Sequence, residues 1–583
     1  MTSSSAPPTG AYIIAKALRD LGVTVIFGIV GIPVVEIAEQ AINLGIRFIG
    51  FRNEQAAGYA ATAYGYLTGK PGIGNSSSNA FPMLLLAGSS ETHLVTKGAF
   101  QELDAISLLT PHTKLAVRPP ALESIPHLIE SAYRSSWYGR PGTGFVDLPA
   151  DLIQGTADSA EDIPQTAPLP PPPASGADNA KLAAIAQLLK SAKAPLIVVG
   201  KGAAYAQAES SIRALVDQTS IPFLPSPMGK GVLPDSHPAN TASARSTALQ
   251  HADVVLVLGA RLNWIFHFGD APKWNPAARF IQVDIEPSEI GRNGGDAALG
   301  IVGDINVVVP QLLSLLSGWS YSPTSSPYLS ALAAAKRKNE DKAASAAAKA
   351  TLPLTYAHAF DVIKRTLHSL SPPDNGGIVY VSEGANTMDI SRSVFPVQHP
   401  RLRLDAGTYA TMGVGLGYAI AAHEAYNASP TPEAVSGPKP GRKKIVALEG
   451  DSAFGFSAME VETMARYQID VLIFVMNNGG VYHGDSDSAE EWLERQGGSG
   501  GKGLRSTSLG WEVRYEKIAE ACGGLGFFVR TPEELATATE EGFKARVPVV
   551  VNVVIESGKK GKLEFGWQAS AKKAQKGKSD AKL

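Results

Sequence analysis

Cysteine is almost absent from this sequence, because the 583-residue chain contains a single one, Cys522. One cysteine excludes an internal disulfide framework and a multi-cysteine zinc site, and it is typical of a reducing compartment. An excess of one charge is also lacking, since 52 basic and 54 acidic side chains give a net charge of −2. This balance excludes a generally basic nucleic-acid-binding protein. No stretch approaches the ~20 apolar residues of a membrane span, so we expect none.

The two ends of the chain differ in what they indicate about targeting. Residues 1–10 are polar and lack the basic region and apolar core of a secretory signal. The last residues are Ala581-Lys582-Leu583, and they follow a basic, low-complexity tail. This ending is a conservative variant of Ser-Lys-Leu, which the peroxisomal import receptor reads. We therefore predict a peroxisomal protein with that receptor as a partner, chance being the alternative.

The length and the pattern of apolar runs predict three domains. Short Val/Ile/Leu runs, often ending in glycine, alternate with helix-length segments, which indicates parallel sheets covered on both faces. We predict an α/β protein with three doubly wound domains, separated by a stiff Pro-rich linker and by an Ala/Lys-rich, helical linker. The predicted units are an amino-terminal domain at 8–160, the Pro-rich linker at 161–182, a central domain at 183–318, the second linker at 319–355, a carboxy-terminal domain at 356–560 and the basic tail at 561–583.

Polar residues follow two predicted strands of the third domain. The strand 444–448 runs into Gly450-Asp451-Ser452-Ala453, and the strand 471–476 runs into Asn477-Asn478-Gly479-Gly480. Ligands of open α/β sheets bind at such carboxyl ends. An Asp carboxylate, an Asn carbonyl and a backbone carbonyl are oxygen donors that suit Mg²⁺ completed by phosphate oxygens. The small residues Gly450, Ser452 and Ala453 would let backbone amides approach a diphosphate.

These two loops resemble the thiamine diphosphate (ThDP) binding motif, in which Gly-Asp-Ser is followed at a set distance by Asn-Asn. The resemblance implies that Asp451, Asn478 and the Gly480 carbonyl bind Mg²⁺. The alternative is a pair of ordinary strand-to-loop turns.

Two further stretches of the third domain are similar to parts of the same family. The stretch 405–413 resembles the segment that supports the folded cofactor. This implies that Met412 packs between the two cofactor rings and that the Ala410 carbonyl faces the 4′-amino group, although the family often has glycine at that place. The stretch 382–387 resembles a second diphosphate-contacting loop, which implies cofactor contacts from Asn386 and Thr387.

A glutamate in the first domain completes the resemblance. The predicted strand 46–51 is followed by Arg52-Asn53-Glu54, which opens a helix. In ThDP enzymes a glutamate in this setting hydrogen-bonds N1′ of the aminopyrimidine, so Glu54 is implied as both a cofactor-binding and a catalytic residue. The alternative is a glutamate that the helix dipole favours in the first turn. The two halves of the site belong to different subunits in the family, which implies a homodimer or homotetramer.

Within the family the chain is most similar to 2-hydroxyacyl-CoA lyases, with oxalyl-CoA decarboxylases as near relatives. Stretches 27–33, 225–231 and 259–269 carry this likeness. The decarboxylases tend to have Tyr-Glu where this chain has Gln101-Glu102, which favours the lyase. The implied reaction, part of fatty acid α-oxidation, cleaves 2-hydroxyacyl-CoA into formyl-CoA and an aldehyde one carbon shorter.

The lyase resemblance also implies catalytic candidates. Gln101 would hold the substrate's 2-hydroxyl or thioester oxygen, and Glu102 would be a second polar group nearby. The alternative is a polar surface loop. His483 follows the Asn-Asn loop, so a proton shuttle is implied, although a single histidine is more often structural.

The central domain is implied to bind the ADP part of CoA. Lys201 and Gly202 follow a predicted strand and would cradle phosphates, and Arg261 is a candidate phosphate partner. A Gly-Lys-Gly sequence after a strand is weak evidence by itself.

The chain departs from the family after Gly72. Relatives continue there with an apolar strand and a glycine-rich loop, whereas this chain passes from Ile73-Gly74 directly to Asn75. The loss of an inner strand would break hydrogen-bond ladders on both sides. Two alternatives to the lyase stay open. One is an oxalyl-CoA decarboxylase, and the other is a ThDP- or CoA-binding subunit that the missing strand makes inactive.

Overall fold

The computed structural model describes residues 7–72, 80–322, 327–428, 441–498 and 503–558. The basic tail with its predicted import signal lies outside these ranges, as does most of the departure after Gly72. Three groups of parallel strands flanked by helices follow one another along the chain, which confirms the predicted α/β class. Within the described ranges, no helix combines the length and the apolar character needed to cross a bilayer.

The amino-terminal group contains two separate parallel sheets, β1–β2 and β3–β5–β4. In the described residues no strand joins β1 to β3, and apart from its ladder with β5, β3 has a single bridge there, from Met83 to Gly72. The strands are β1 (Val25–Gly28), β2 (Arg47–Gly50), β3 (Met83–Ser89), β4 (Leu115–Val117) and β5 (Thr143–Pro149).

The helices of this group include one, Glu54–Thr68, that packs against the carboxy-terminal domain. They are α1 (Gly10–Asp20), α2 (Val35–Asn43), α3 (Glu54–Thr68), α4 (Ala105–Leu109), α5 (Ile125–Trp137) and α6 (Ala150–Gln154). Asn53 caps α3 by accepting the N–H groups of Gln55 and Ala56, and the helix ends at Gly69 with a φ of 70°. Alanine and glycine at many positions of α3 let it be buried nearly all round.

The central group is one parallel sheet in the order β10-β9-β8-β6-β7. Its apolar strands are almost completely buried because helices cover both faces. The strands are β6 (Pro195–Val199), β7 (Phe223–Pro225), β8 (Val254–Leu258), β9 (Arg279–Asp284) and β10 (Ile301–Val302). The helices are α7 (Asn179–Ser191), α8 (Lys201–Tyr205), α9 (Glu209–Thr219), α10 (Arg245–His251) and α11 (Ile305–Leu315).

The two predicted linkers have different structures. The Ala/Lys-rich stretch forms α12 (Pro327–Ala347), as its composition predicts. The Pro-rich stretch 163–178 contains neither helix nor strand, and Tyr138 donates a hydrogen bond from its hydroxyl to the Pro170 carbonyl at 2.7 Å. This linker therefore lies against the amino-terminal domain.

The carboxy-terminal group is a six-stranded parallel sheet in the order β12-β11-β13-β14-β16-β15. The strands are β11 (Ile378–Ser382), β12 (Arg403–Asp405), β13 (Lys444–Gly450), β14 (Leu472–Asn477), β15 (Leu525–Val529) and β16 (Val549–Val554). The helices are α13 (Tyr356–Leu370), α14 (Ala385–Val394), α15 (Gly415–His423), α16 (Asp451–Ser457), α17 (Glu460–Arg466), α18 (Ala489–Gln496), α19 (Glu516–Ala521) and α20 (Pro532–Lys544). Because β13 and β14 are neighbours in the middle of the sheet, the polar loops that follow them lie at the same edge.

Candidate functional site

Asp451 stands at the carboxyl end of β13, as the first residue of α16. Its side chain is buried, and its two carboxylate oxygens accept the N–H groups of Ser452 and Gly479, both at 2.8 Å. Burial raises the pKa of this carboxyl to about 7, although the backbone N–H bonds act in the opposite direction. A cation would stabilise a carboxylate held in this way. The donor set of carboxylate, amide and carbonyl oxygens fits Mg²⁺.

Asn478 is the first residue after β14 and lies beside Asp451. Its amide nitrogen donates to the Tyr482 carbonyl at 2.9 Å, and its amide oxygen accepts the N–H of Gly480 at 3.1 Å. Asn386, in the first turn of α14, donates to the same Tyr482 carbonyl at 2.9 Å. These bonds join the turn 478–482 to the loop before α14.

The loops before α14 and α16 approach each other closely. A Cβ on Gly384, whose φ is 82°, would lie 3.1 Å from the backbone nitrogen of Gly450, so only glycine fits there. The amino ends of α14 and α16 therefore converge, and N–H groups at helix amino ends attract phosphate. The structure brings seven predicted residues to this place: Asn386, Thr387, Gly450, Asp451, Ser452, Ala453 and Asn478.

Residues 405–413, which we call the support segment, run from the end of β12 toward α15. Ala410 lies in the segment with a left-handed φ of 49°, a conformation that favours glycine. The strained backbone gives a physical reason for the glycine that the family often has at this position. The N–H of Gly413 donates to the carboxylate of Glu383, and a Cβ on Gly413 would lie 3.0 Å from the Cβ of Phe456 in α16. The backbone next to Met412 therefore lies close to Glu383 and to Phe456 of α16.

A pair of buried carboxyl groups, Glu383 and Glu449, lies beneath these loops. Burial raises the pKa of Glu383 to about 7, and burial together with the Glu383 charge raises the pKa of Glu449 well above its ordinary value. Glu383 also accepts the N–H of Gly415 at 2.5 Å. Sequence reasoning missed this pair, although the signal was there: each glutamate directly precedes the glycine of a loop that was predicted to bind the cofactor.

Glu54 belongs to the amino-terminal domain, at the start of the helix that packs against α15. It is exposed at the start of α3, and within the described residues no hydrogen bond or ion pair links it to the Asp451 cluster. The loop before α3 is instead held by α17, because Glu460 accepts the N–H of Arg52 at 3.2 Å. Within the described residues of one chain, Glu54 and Asp451 therefore make no direct polar contact.

The loop with Gln101 and Glu102 is exposed, and it is organised by Glu102. The Glu102 carboxylate accepts the N–H groups of Thr96, Gly98 and Ala99. These backbone bonds, that from Ala99 first, lower the pKa of Glu102. Glu102 therefore stabilises the conformation of its own loop. Gln101 is exposed, with a left-handed φ of 59°.

His483 follows the turn 478–482 at the same edge of the sheet. Its carbonyl oxygen would lie 2.4 Å from a Cβ on Gly480, and its Nδ1 would lie 2.7 Å from a Cβ on Gly558. The imidazole is therefore next to the chain as it leaves β16. His483 therefore lies at the same edge of the sheet as Asp451 and Asn478.

A cavity of about 760 Å³ lies at the carboxyl ends of the central strands. All three CoA candidates, Lys201, Gly202 and Arg261, line it, together with Arg140. The Lys201 ammonium group is buried 4.2 Å from the centre of the Phe81 ring. Burial, with the charges of Arg261 and Arg140, lowers the pKa of Lys201. The positive charges would favour phosphate groups.

The cavity extends from the central domain to both neighbouring parts of the chain. Pro171 and Pro172 of the Pro-rich linker line one part of it, and Gly407 and Thr408 of the support segment line another. It also contains acidic groups, and burial raises the pKa of Asp284 at the end of β9 to about 6. Sequence reasoning missed Asp284, Arg140 and the linker, because only the fold brings these residues to the Lys201 loop.

Comparisons with known proteins agree with this geometry. Three family models match: "Thiamine pyrophosphate enzyme, N-terminal TPP binding domain" at residues 8–78, "central domain" at 182–312 and "C-terminal TPP binding domain" at 383–553. The human protein named 2-hydroxyacyl-CoA lyase 1 is 44% identical, with 94% of each chain covered. A 2-hydroxyacyl-CoA lyase of Arabidopsis thaliana is 42% identical, over 95% of this chain and 97% of its own. An oxalyl-CoA decarboxylase of Escherichia coli K12 is 38% identical, over 94% and 95%.

Proposed function

Since the chain belongs to the thiamine diphosphate-dependent enzymes, in the family of the 2-hydroxyacyl-CoA lyases, we propose that it cleaves 2-hydroxyacyl-CoA into formyl-CoA and a shortened aldehyde. The observation that carries this proposal is the cavity that joins the Lys201 loop to Thr408 of the support segment. It would let one ligand place phosphates at Lys201 and Arg140 and a reacting thioester near the cofactor loops. A volume of this size is typical of small-molecule sites.

We propose that the carboxy-terminal domain holds the cofactor through Mg²⁺. Asp451, Asn478 and the Gly480 carbonyl would bind the cation, and the N–H groups at the starts of α14 and α16 would bind the diphosphate. When bound, thiamine diphosphate supplies a carbon nucleophile and an electron sink. The support segment would orient the cofactor rings through the Ala410 carbonyl and the Met412 side chain.

We propose that Glu54 acts on the cofactor held by a second subunit, because it is exposed and makes no polar contact with the Asp451 cluster in the described residues of its own chain. Two large apolar side chains are exposed, Phe100 (68%) next to Gln101 in the sequence and Phe456 (65%) in α16. We propose that a homodimer, or a homotetramer built from dimers, covers them and completes the site. In that assembly Glu54 would be desolvated, as a carboxyl group that shares a proton with a ring nitrogen requires.

Gln101 and His483 are the proposed polar groups around the substrate. Gln101 would hold the 2-hydroxyl group or the thioester oxygen from its exposed loop. His483 would take the hydroxyl proton while the bond between C1 and C2 breaks, because Glu102 is engaged by three backbone N–H groups. The peroxisomal location of the protein stays a prediction, since residues 559–583, which include the predicted import signal, lie outside the described ranges.

The test is a product assay on the purified full-length protein with thiamine diphosphate, Mg²⁺ and a long-chain 2-hydroxyacyl-CoA. Mass spectrometry should detect formyl-CoA and the aldehyde one carbon shorter, and Glu54→Ala should abolish both. Formyl-CoA and CO₂ from oxalyl-CoA, without cleavage of the hydroxyacyl substrate, would identify a decarboxylase instead.

The two separate sheets among the described amino-terminal residues favour one second candidate, a subunit that binds the cofactor without turnover. In the described residues no strand joins β1 to β3, and the loss of an inner strand would remove support from the half-site that carries Glu54. This candidate predicts cofactor binding by calorimetry with no product from either substrate. Insertion of the relatives' strand between Gly72 and Ala80 should then restore turnover.

A further inference from the structure

We propose that Trp264 and Arg261 of the central domain are positioning residues of the cofactor site, which act by holding Thr408 in the support segment. The inference rests on the proposed function in one respect only, because it takes residues 405–413 as the support of the cofactor rings. Nothing in the sequence motifs connects these parts, since Trp264 and Thr408 belong to different domains. Arg261 was expected at a CoA phosphate, and its contact with Thr408 gives it another role.

The contact consists of two hydrogen bonds to one residue. The Trp264 indole N–H donates to the Thr408 carbonyl at 2.8 Å, and the Arg261 guanidinium donates to the Thr408 hydroxyl at 2.7 Å. Thr408 is thereby held through its backbone and its side chain at once. A threonine bonded at both places has neither its peptide plane nor its side chain free to rotate.

The residues after Thr408 have little packing of their own. The Tyr409 side chain is 69% exposed, and Ala410 is exposed with its left-handed φ of 49°. At the other end, Glu383 accepts the N–H groups of Gly413 and Gly415. A strained conformation persists only where its surroundings fix it. The direction of the Ala410 carbonyl therefore depends on both ends, and the central domain supplies one of them.

The central domain is a firm anchor for this contact. Trp264 and Arg261 follow β8, and the Asn263 side chain caps the start of the Trp264–Gly269 segment by accepting the N–H of Ile265 at 3.0 Å. Asn293 donates to the carbonyl of Leu262 at 2.6 Å and fixes the same turn from the other side. Arg261 also lines the cavity, so the residue that faces the proposed CoA site holds the cofactor support as well.

The test uses Trp264→Phe, which keeps an aromatic ring but removes the donor, and Thr408→Val, which removes the hydroxyl. Calorimetry with thiamine diphosphate and Mg²⁺ should show binding weakened by about five- to tenfold for each, the usual effect of one lost hydrogen bond. Hydrogen exchange of the apo protein should become faster in the peptide that covers 405–413. In turnover, kcat should fall while KM for the acyl-CoA stays within about twofold.

Trp274→Phe is the matched control, because the Trp274 indole donates to the Phe266 carbonyl at 2.6 Å, inside the same domain. It should lower the melting temperature without weakening cofactor binding or speeding exchange in 405–413. The proposal is overturned if Trp264→Phe and Thr408→Val bind the cofactor like the unaltered protein, or if Trp274→Phe weakens binding equally. Failure of the proposed function would be distinct, since the unaltered protein would then bind the cofactor and release no product.

Discussion

Replacement of Asp405 by asparagine should destabilise the carboxy-terminal domain strongly. Asp405 is 1% exposed at the end of β12. It accepts hydrogen bonds from the Ser382 hydroxyl at 2.6 Å and from Arg392 at 3.0 Å, and it pairs with the buried Arg403 at 3.1 Å. Burial raises the pKa of Asp405, but the guanidinium groups of Arg403 and Arg392 outweigh it and hold the pKa at about 2.

The magnitude follows from this pKa and from the burial of Arg403. A pKa lowered from 3.8 to about 2 corresponds to about 2.5 kcal/mol at ~1.36 kcal/mol per unit. Because the folded state has the lower pKa, this stabilisation is complete above pH 4 and is lost as the pH falls through about 2. Asparagine would also leave Arg403 buried without an anion, so Asp405→Asn should cost about 3–5 kcal/mol at neutral pH.

The assay is hydrogen exchange across β11 and β12, because a protein of several domains does not unfold in one two-state step. The control is Asp389→Asn, since Asp389 is bonded to the same Arg392 but its side chain is 66% exposed, and it should cost less than about 1 kcal/mol. An opening free energy that changes equally in the two variants would refute the reasoning.

Three further predictions concern the cation site, the cavity and the end of the chain. Asp451→Asn should weaken Mg²⁺-dependent binding of thiamine diphosphate by about 10–100-fold, because the site would lose its charged donor; unchanged affinity by calorimetry would contradict the assignment. Lys201→Met should raise KM for the acyl-CoA about tenfold and leave kcat unchanged, since a lysine that binds phosphate contributes mainly to binding; an equal loss in kcat would place Lys201 at the reacting centre. Removal of Leu583 should shift an amino-terminally tagged fluorescent fusion from peroxisomes to the cytosol, because the receptor reads the last three residues; persistent import would show that the signal lies elsewhere.

Much of the fold could be predicted from local pattern. The apolar runs that end at Val199, Leu258 and Asp284 form strands of one parallel sheet, because a sheet covered on both faces needs continuous apolar sequence. The polar loops at Asp451 and Asn478 could be placed together, since both follow strands and parallel strands end at the same edge. These predictions depend only on residue type and spacing.

Other features depend on residues that are distant in the sequence. No local signal indicates that the Pro-rich linker lines the cavity, or that Glu102 braces its own loop. Burial is what turns Glu383 and Glu449 into carboxyl groups with raised pKa values, and burial follows from the packing of neighbouring strands.

The sequence by itself determined the α/β class and the family, and it predicted the polar loops at Asp451 and Asn478, because each depends on short segments whose chemistry does not require distant partners. The tertiary structure decided where those segments stand. Among the described residues it left Glu54 without a polar contact to Asp451, placed the amino-terminal strands in two sheets, and set Trp264 and Arg261 against Thr408. These outcomes come from contacts between residues far apart in the chain, and such contacts are chosen by the packing of whole domains.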